Sequence, residues 1–190
     1  MKRVVIVACL IVLSVAAVRA ADVITDDAAA QALFKQAYAI MAEMGLKIDR
    51  DILLNFRTRD ELNTENAGHG GRTLELNGFY RAYNPESVWV VSGLTKSETI
   101  GVMVHELTHA WQSTESPQQD RKLTEGFARW VEYHTYLKIG DADTARTIQE
   151  DPDPDYGGGL RYLLDLEKKQ GIPAVVQFAR TQRDIPSAGS

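Results

Sequence analysis

The segment His105-Glu106-Leu107-Thr108-His109 fits the pattern H-E-x-x-H, which places two histidines four positions apart. On an α-helix, residues four apart lie on one face, about 6 Å from each other along the axis, so two imidazoles at this spacing can bind one metal ion. Glu106 could then approach the water that the metal activates instead of binding the metal itself. Two neutral nitrogen ligands, a carboxylate base and an open coordination position are the requirements of zinc-dependent hydrolysis.

The residues around this pattern favour a buried helix. An apolar run, Ile100-Gly101-Val102-Met103-Val104, precedes the motif, and Ala110-Trp111 follows it. Thr95-Lys96-Ser97-Glu98 fits a capping box, which predicts that the helix begins about ten residues before His105. The alternative is a surface helix with two histidines and a solvated glutamate, and the apolar flanks argue against it.

Glu125 is the candidate third ligand. It lies sixteen positions after His109, beyond a segment rich in Ser, Pro, Gln and Asp that predicts a turn. A second helix over residues 121–139 could fold back antiparallel and place Glu125 opposite the two histidines, with the small Gly126 and Ala128 where the helices approach closely. Two histidines and one glutamate leave a position for water, which indicates a catalytic site. The alternative for Glu125 is an ordinary first-turn glutamate favoured by the helix dipole.

These motifs resemble those of known zinc peptidases. His105-Glu106-x-x-His109 followed by Glu125-Gly126-Phe127-Ala128 is similar to the gluzincin pattern of the aminopeptidase N type. The further residues Ala110-Trp111 resemble the H-E-x-x-H-A-W core of the DA-one-like peptidases, the family of the plant organ-size regulators. The likeness extends from Val88 to Leu166, under half of the chain. It implies a zinc ion held by two histidines and a glutamate, with Glu106 as the catalytic base.

The resemblance also implies roles for residues outside the metal motif. Tyr156-Gly157-Gly158-Gly159 matches a segment whose tyrosine, in these enzymes, donates a hydrogen bond to the tetrahedral oxyanion. Tyr156 could instead only pack under a glycine-rich turn. Arg161 could bind a substrate carboxylate or pair with an acidic side chain. Val90 and Gly93 fall in the strand and Gly-Leu that precede the metal helix, where zincins lay out an extended peptide, so we expect them to contact substrate.

The chain also departs from its possible relatives. Arg129 occupies the position at which thermolysin-like enzymes carry a histidine-orienting aspartate. Glu132 lies on the same helix face as Glu125 and could orient a histidine instead, although the sequence alone favours a solvated glutamate. His69 fits a loop, and His134 lies on the opposite helix face from Glu125, so neither is expected to bind the metal. The zinc-binding and ubiquitin-interacting modules of the plant proteins have no counterpart here.

Composition predicts an exported single-domain protein. Met1-Lys2-Arg3 precedes an apolar run from Val4 to Val18, which is too short to span a membrane and fits a signal peptide cleaved after Ala20. An uncleaved anchor is the alternative. Removing residues 1–20 takes away three basic residues and no acid, so 21 basic and 26 acidic residues become 18 and 26, and the net charge changes from −5 to −8. Such a chain should repel nucleic acid and anionic membranes.

The expected fold is a small α+β, zincin-like domain of the gluzincin type. We expect residues 21–182 to form this domain, mostly helical with a short antiparallel sheet beside the metal-binding helix, and residues 183–190 to form a flexible tail. Helices are predicted from Asp26-Asp27 to Met44, over residues 121–139, from Tyr156 to Gln170 and from Pro173 to Thr181, strands near residues 52–57, 80–83 and 86–92, and a loop over residues 63–72.

The sequence therefore predicts a secreted or periplasmic zinc peptidase that acts on peptides or proteins. Two other classes stay open. One is an inactive peptidase-like module that binds a peptide or protein partner, and the other is a helical protein whose H-E-x-x-H pattern is accidental. Cleavage specificity, the choice between endo- and exopeptidase action, and oligomeric state are not encoded in any motif that we find.

Overall fold

The computed structural model describes residues 23–68 and 76–186. Over these residues the helices are α1 (Asp27–Glu43), α2 (Arg59–Gly68), α3 (Lys96–Glu115), α4 (Arg121–Ile139), α5 (Ala142–Gln149), α6 (Tyr156–Gln170) and α7 (Ile172–Thr181), and the strands are β1 (Leu53–Arg57), β2 (Gly78–Arg81) and β3 (Ser87–Val91). A mostly helical chain with one small sheet confirms the predicted α+β class. No helix within the described ranges is long and apolar enough to cross a membrane.

The three strands form one mixed sheet in the order β1-β3-β2. In the central strand, Trp89 lies opposite Asn55 of β1 in the parallel pair and opposite Phe79 of β2 in the antiparallel pair. The expectation of a purely antiparallel sheet is therefore wrong for β1. A parallel pair needs a crossover connection, and α2 together with β2 supplies it between β1 and β3.

Helix α2 corrects a second expectation, because the sequence predicts a polar loop over residues 63–72. The chain is instead helical as far as Gly68. Thr58 and Glu61 form reciprocal hydrogen bonds at its start, with the Thr58 N–H donating to Glu61 Oε2 over 2.9 Å. Leu62 is fully buried. This capping pair and one buried leucine stabilise a helix whose remaining residues are polar. His69 lies outside the described residues.

Helix α3, which carries the H-E-x-x-H motif, begins where the capping box predicts. The Thr95 side chain accepts a hydrogen bond from the Glu98 N–H, and the Glu98 carboxylate accepts one from the Thr95 N–H. Helix α4 starts after its N-cap Asp120 and ends at Gly140, whose φ of 85° is the left-handed conformation that glycine adopts readily. Both helices therefore have the bounds that their local sequence predicts.

Helices α3 and α4 pack antiparallel in the centre of the molecule. Contacts that join later residues of α3 to earlier residues of α4 establish this direction, since His105 contacts Glu132 and His109 contacts Glu125. The interface beneath them is aromatic: the Phe127 ring centroid lies 5.5 Å from that of Trp111, and Phe127 stacks on Trp130 with the ring centroids 5.6 Å apart. These large buried side chains fix the separation of the two helices that carry the candidate ligands.

The N-terminal part of α6 crosses α4 at a pair of glycines. A Cβ atom added to Gly126 would lie 2.6 Å from the Cα of Gly159, so the two backbones are in direct contact. The sequence predicts that Gly126 lies where α4 approaches the helix with the two histidines, but its close contact is with α6 instead. The crossing brings the start of α6 next to Glu125, the neighbour of Gly126.

The predicted chain ends are only partly within the described ranges. The proposed signal peptide, residues 1–20, lies outside them. At the other end, Ile185 is 6% exposed and the Asp120 N–H donates a hydrogen bond to the Arg183 carbonyl over 2.7 Å. The first residues of the segment that we expected to be a loose tail therefore pack against the start of α4.

Candidate metal centre and active site

His105 and His109 on α3 converge on Glu125 in the first turn of α4. The Nε2 atoms of His105 and His109 lie 3.3 Å and 3.6 Å from Glu125 Oε2. One ligand atom from each of the three residues lies within 4.8 Å of the other two. Among the described residues, no other trio of histidine, cysteine or acidic side chains comes together in this way. The structure thus brings together the three predicted ligands.

Each histidine uses its other ring nitrogen to contact a side chain that orients it. His105 Nδ1 lies 3.3 Å from Glu132 Oε2, and His109 Nδ1 lies 2.9 Å from Gln112 Oε1. Both partners are acceptors, so each Nδ1–H is directed at its partner and each Nε2 is directed at Glu125. Metal ligation would use the Nε2 atoms of both rings, on the side that faces Glu125.

Gln112 also connects α3 to the segment that carries the candidate third ligand. Its Nε2 donates to the Thr124 carbonyl over 3.0 Å and to Gln119 Oε1 over 3.2 Å. These bonds fix the direction of the amide, so its oxygen must face His109. Thr124 precedes Glu125, so one buried glutamine positions both His109 and the backbone next to Glu125. Gln112 was not among the predicted site residues, although its position three residues after His109 places it on the same helix face.

The donor atoms fit a divalent cation. Glu125 Oε2 is a buried atom with no hydrogen-bond partner among the described residues, although the Nε2 atoms of His105 and His109 lie 3.3 Å and 3.6 Å away. The surroundings contain three carboxylates, of Glu106, Glu125 and Glu132, and the Arg129 guanidinium pairs with Glu132. Buried charges are stable only when they are paired, and a cation bound at the two histidines would pair with the Glu125 carboxylate. Two imidazoles and one carboxylate form a donor set that zinc prefers.

The electrostatics of the cluster agree with this fit. Burial alone would lower the pKa of the His105 imidazole, but its contacts with the Glu125 and Glu132 carboxylates raise the pKa to about 10. Burial would raise the pKa of Glu125, but its contacts with His105 and His109 hold that pKa well below its usual range. The carboxylates thus hold a positive charge between them, and a bound metal ion would replace the His105 proton.

Glu106 lies beside the three ligands and has a different environment. It is 8% exposed, and burial raises the pKa of its carboxyl group. A carboxyl group with a raised pKa is suited to accept and later return a proton near neutral pH. Strand β2 passes close to it, since a Cβ atom on Gly78 would lie 3.3 Å from Glu106 Cγ and 2.6 Å from Val102 Cγ1. The absence of a side chain at Gly78 leaves room for Glu106.

Tyr156, at the start of α6, reaches the same centre. Its ring lies 6.3 Å from the His105 ring and nearly parallel to it, at an interplanar angle of 19°. The guanidinium groups of Arg121 and Arg129 lie over the tyrosine ring, at 5.8 Å and 5.3 Å from its centroid. Burial and the Glu125 charge raise the pKa of the Tyr156 phenol, so the hydroxyl remains a hydrogen-bond donor at neutral pH.

A cleft of about 540 Å³ opens at the ligands between β2 and the two central helices. It is lined by Leu76, Gly78, Phe79, Tyr80, His105, Glu106, His109, Gln112, Ser113, Pro117, Gln119, Thr124, Glu125 and Tyr156. A neighbouring hollow of about 400 Å³ shares Gly78, His105, Glu106 and Tyr156 with it. The candidate ligands, the candidate base and Tyr156 therefore all border space large enough for part of a peptide.

The structure does not bring the other predicted substrate contacts to this cleft. Val90 is fully buried in the central strand, where its main chain has a partner on each side, and Gly93 lies outside the cleft lining. These two residues were expected in an edge strand, but β2 takes the edge beside the metal centre. Arg161 also lies elsewhere, since its guanidinium donates hydrogen bonds to the carbonyls of Gln149 and Asp151.

Glu132 requires a correction as well. The sequence favours a solvated glutamate, but this side chain is 5% exposed and contacts His105. The position on the helix face could be predicted, whereas the packing of that face against His105 could not. His134 lies away from the ligands, and its Nε2 pairs with Glu167 Oε2 at 2.8 Å. It was not expected to bind the metal, and it is not part of the converging trio.

A comparison with known protein families adds an independent observation. A family model described as "Peptidase of plants and bacteria" matches residues 82–185, a span that includes β3, all three candidate ligands and Tyr156. No curated protein and no solved structure matches the chain. The matched span covers more than half of the 190 residues. The chain therefore belongs to the family described as "Peptidase of plants and bacteria".

Proposed function

We propose that this chain is a zinc-dependent peptidase that hydrolyses peptide bonds with an activated water. The observation that carries the proposal is the convergence of His105, His109 and Glu125 beside the buried Glu106 in an open cleft. Membership of a peptidase family supports the reaction class. The gluzincin pattern and the DA-one-like resemblance support the finer assignment to a metallopeptidase with two histidine ligands and one glutamate ligand.

In this proposal, His105, His109 and Glu125 would hold the metal ion. When bound, zinc would supply Lewis acidity that polarises a carbonyl group and lowers the pKa of water to about 7. Glu106 would take a proton from the attacking water and return it to the leaving amine. Its burial favours this role, because a raised pKa brings the carboxyl group closer to the pH at which it must exchange protons.

Tyr156 and β2 would orient the substrate around these groups. The protonated Tyr156 hydroxyl would donate a hydrogen bond to the oxyanion that forms at the attacked carbonyl carbon. Strand β2 is at the edge of the sheet and lines the cleft, so an extended peptide could pair with its main chain. Main-chain pairing makes few demands on sequence, which fits a peptide or protein substrate. The apolar N-terminal segment supports action in a secreted or periplasmic location.

The substitution Glu106→Gln tests the proposed mechanism. It keeps the size of the side chain and removes the proton acceptor, so we expect full zinc binding with peptidase activity reduced by about 10²- to 10⁴-fold. Activity is measured on a mixed peptide library by mass spectrometry, and zinc by elemental analysis. Glu115→Gln, at the partly exposed end of the same helix, is the matched control and should retain activity.

Two results would count against the proposal. Equal turnover by the wild type and Glu106→Gln would exclude Glu106 as the base. A zinc-loaded wild type that binds peptides without cleaving any of them, with binding unchanged in Glu106→Gln, would favour the inactive peptide-binding module instead.

A further inference from the structure

We infer that Glu132 is a positioning residue of the metal centre, held in place by Arg129 and Tyr136 so that it orients His105. The inference rests on the proposed metal site and concerns residues that do not bind the ion. Its basis is a set of contacts behind His105, on the side of the imidazole away from Glu125.

The Glu132 carboxylate contacts three side chains, those of His105, Arg129 and Tyr136. Oε2 lies 3.3 Å from His105 Nδ1 and accepts a hydrogen bond from Arg129 Nη1 over 2.8 Å. Oε1 accepts a hydrogen bond from the Tyr136 hydroxyl over 3.2 Å. Two donors from its own helix thus fix the carboxylate in front of the histidine. An acceptor that cannot rotate holds the imidazole in one orientation and one tautomer.

Gly101 on α3 provides the space for this arrangement. A Cβ atom at position 101 would overlap the Tyr136 hydroxyl, so any side chain there would displace the group that reaches Glu132. Glycine inside a helix is less favourable than alanine. Tyr136 is 4% exposed, so its hydroxyl needs an internal partner, and Glu132 supplies one.

Burial makes a purely structural role for Glu132 a poor explanation. The residue is 5% exposed, and its Oε2 atom lies 3.3 Å from His105 Nδ1 and 2.8 Å from Arg129 Nη1. A buried ion pair generally stabilises a fold no better than apolar residues of similar volume. A carboxylate at this position has a functional reason, because a carboxylate that contacts the other ring nitrogen of a metal-binding histidine makes that histidine a stronger ligand.

Arg129 extends the arrangement to Tyr156. Its guanidinium pairs with Glu132 and also lies 5.3 Å from the centroid of the Tyr156 ring. One arginine thus contacts both the residue that orients His105 and the tyrosine that borders the cleft. Thermolysin-like enzymes carry a histidine-orienting aspartate at the position of Arg129, and in this chain the carboxylate lies three residues further along the same helix.

Zinc affinity of the purified chain tests the inference without any measurement of activity. It is measured by competition with a chromophoric chelator at constant pH, in the wild type, Glu132→Gln and Tyr136→Phe. Glu167→Gln is the matched control, because it removes another glutamate–histidine pair, with His134, away from the ligands. The absorption spectrum of the cobalt(II)-loaded proteins reports the ligand geometry.

We expect Glu132→Gln to bind zinc about 10- to 100-fold more weakly than the wild type and to change the cobalt spectrum. Tyr136→Phe should show a smaller loss in the same direction, and Glu167→Gln no loss. A structural role alone would lower the thermal stability of Glu132→Gln but leave its zinc affinity and cobalt spectrum unchanged, and this result would overturn the inference.

If Glu132→Gln does not fold, Tyr136→Phe tests the inference instead. It keeps the Glu132 carboxylate and removes the hydroxyl that donates a hydrogen bond to it. Unchanged affinity together with an unchanged cobalt spectrum in that variant would overturn the inference. Failure of the wild type to bind zinc would overturn the metal site and the inference with it. The wild-type affinity therefore separates failure of the proposed function from failure of the role of Glu132.

Discussion

At the scale of single residues, the two histidines have the same expected task but different partners. His105 contacts the carboxylate of Glu132, whereas His109 contacts the neutral amide of Gln112. A carboxylate partner increases the basicity of an imidazole more than an amide does. The glutamine compensates in another way, because its second hydrogen bond reaches the Thr124 carbonyl next to Glu125. Glu132 thus increases the basicity of His105, whereas Gln112 links His109 to the backbone next to Glu125.

The Tyr156 hydroxyl gives a prediction at this scale. Tyr156→Phe keeps the ring that contacts His105 and the two arginines but removes the hydrogen-bond donor. We expect kcat to fall about 10²-fold, since one donor to an oxyanion contributes about 3 kcal/mol, with zinc binding unchanged.

The measurement is steady-state kinetics on a cleaved peptide, alongside Tyr162→Phe, which removes a hydroxyl from the same helix near Phe178. An unchanged kcat in Tyr156→Phe would show that this tyrosine only packs under the glycine-rich turn.

The residues that the sequence could predict are those whose relation is local. The spacing of His105 and His109 on one helix fixes their common face, and a helix that folds back brings Glu125 opposite them. The roles of Gln112 and Glu132 depend on which side chains the opposing helix places against the histidines, and no spacing within one segment reveals this. Gly101 is informative only once Tyr136 is known to lie against it.

At the scale of elements, the crossing of α4 and α6 controls where Glu125 and Tyr156 lie. Each of the three glycines at the start of α6 has a different environment. A Cβ atom would overlap the Asp151 carbonyl oxygen at Gly157 and the Lys122 carbonyl oxygen at Gly159, whereas at Gly158 the nearest heavy atom would be 3.6 Å away. Two of the glycines are therefore required by close packing and the third is not.

This difference predicts opposite effects for three alanine substitutions. Gly157→Ala and Gly159→Ala should each lower the free energy of unfolding by about 1–3 kcal/mol, because backbone atoms must move. Gly158→Ala should raise it by up to about 1 kcal/mol, because alanine favours the helix. Urea denaturation of the three variants measures the effect. Equal stabilities, or a larger loss at Gly158 than at its neighbours, would contradict the predicted packing.

The bounds of most helices could be predicted, whereas the order of the strands could not. Caps such as Thr95-Glu98 and glycines such as Gly140 and Gly171 are encoded next to the helices that they begin or end. The central position of β3 depends on pairing with both β1 and β2, and the pattern within each strand is the same in either arrangement. Val90 and Gly93 were therefore assigned to the edge that β2 occupies.

At the scale of the whole molecule, a small helical core holds a cluster of two histidines and one glutamate whose donor atoms could bind one metal ion. Buried aromatic residues join α3 to α4, glycines join α4 to α6, and the sheet brings β2 over Glu106. The family match covers residues 82–185, which include β3 and helices α3 to α7 but not α1, α2, β1 or β2. The central claim is therefore that the folded chain holds one divalent metal ion between His105, His109 and Glu125.

The zinc content of the purified chain tests this claim most directly. Wild-type protein and Glu125→Ala are incubated with zinc, desalted and measured by elemental analysis, with Glu115→Ala as a control at the far end of α3. We predict one zinc ion per chain in the wild type and the control, and a large loss in Glu125→Ala, because the carboxylate that completes the donor set is gone. A wild type without stoichiometric zinc, or a Glu125→Ala variant that retains all of it, would contradict the account.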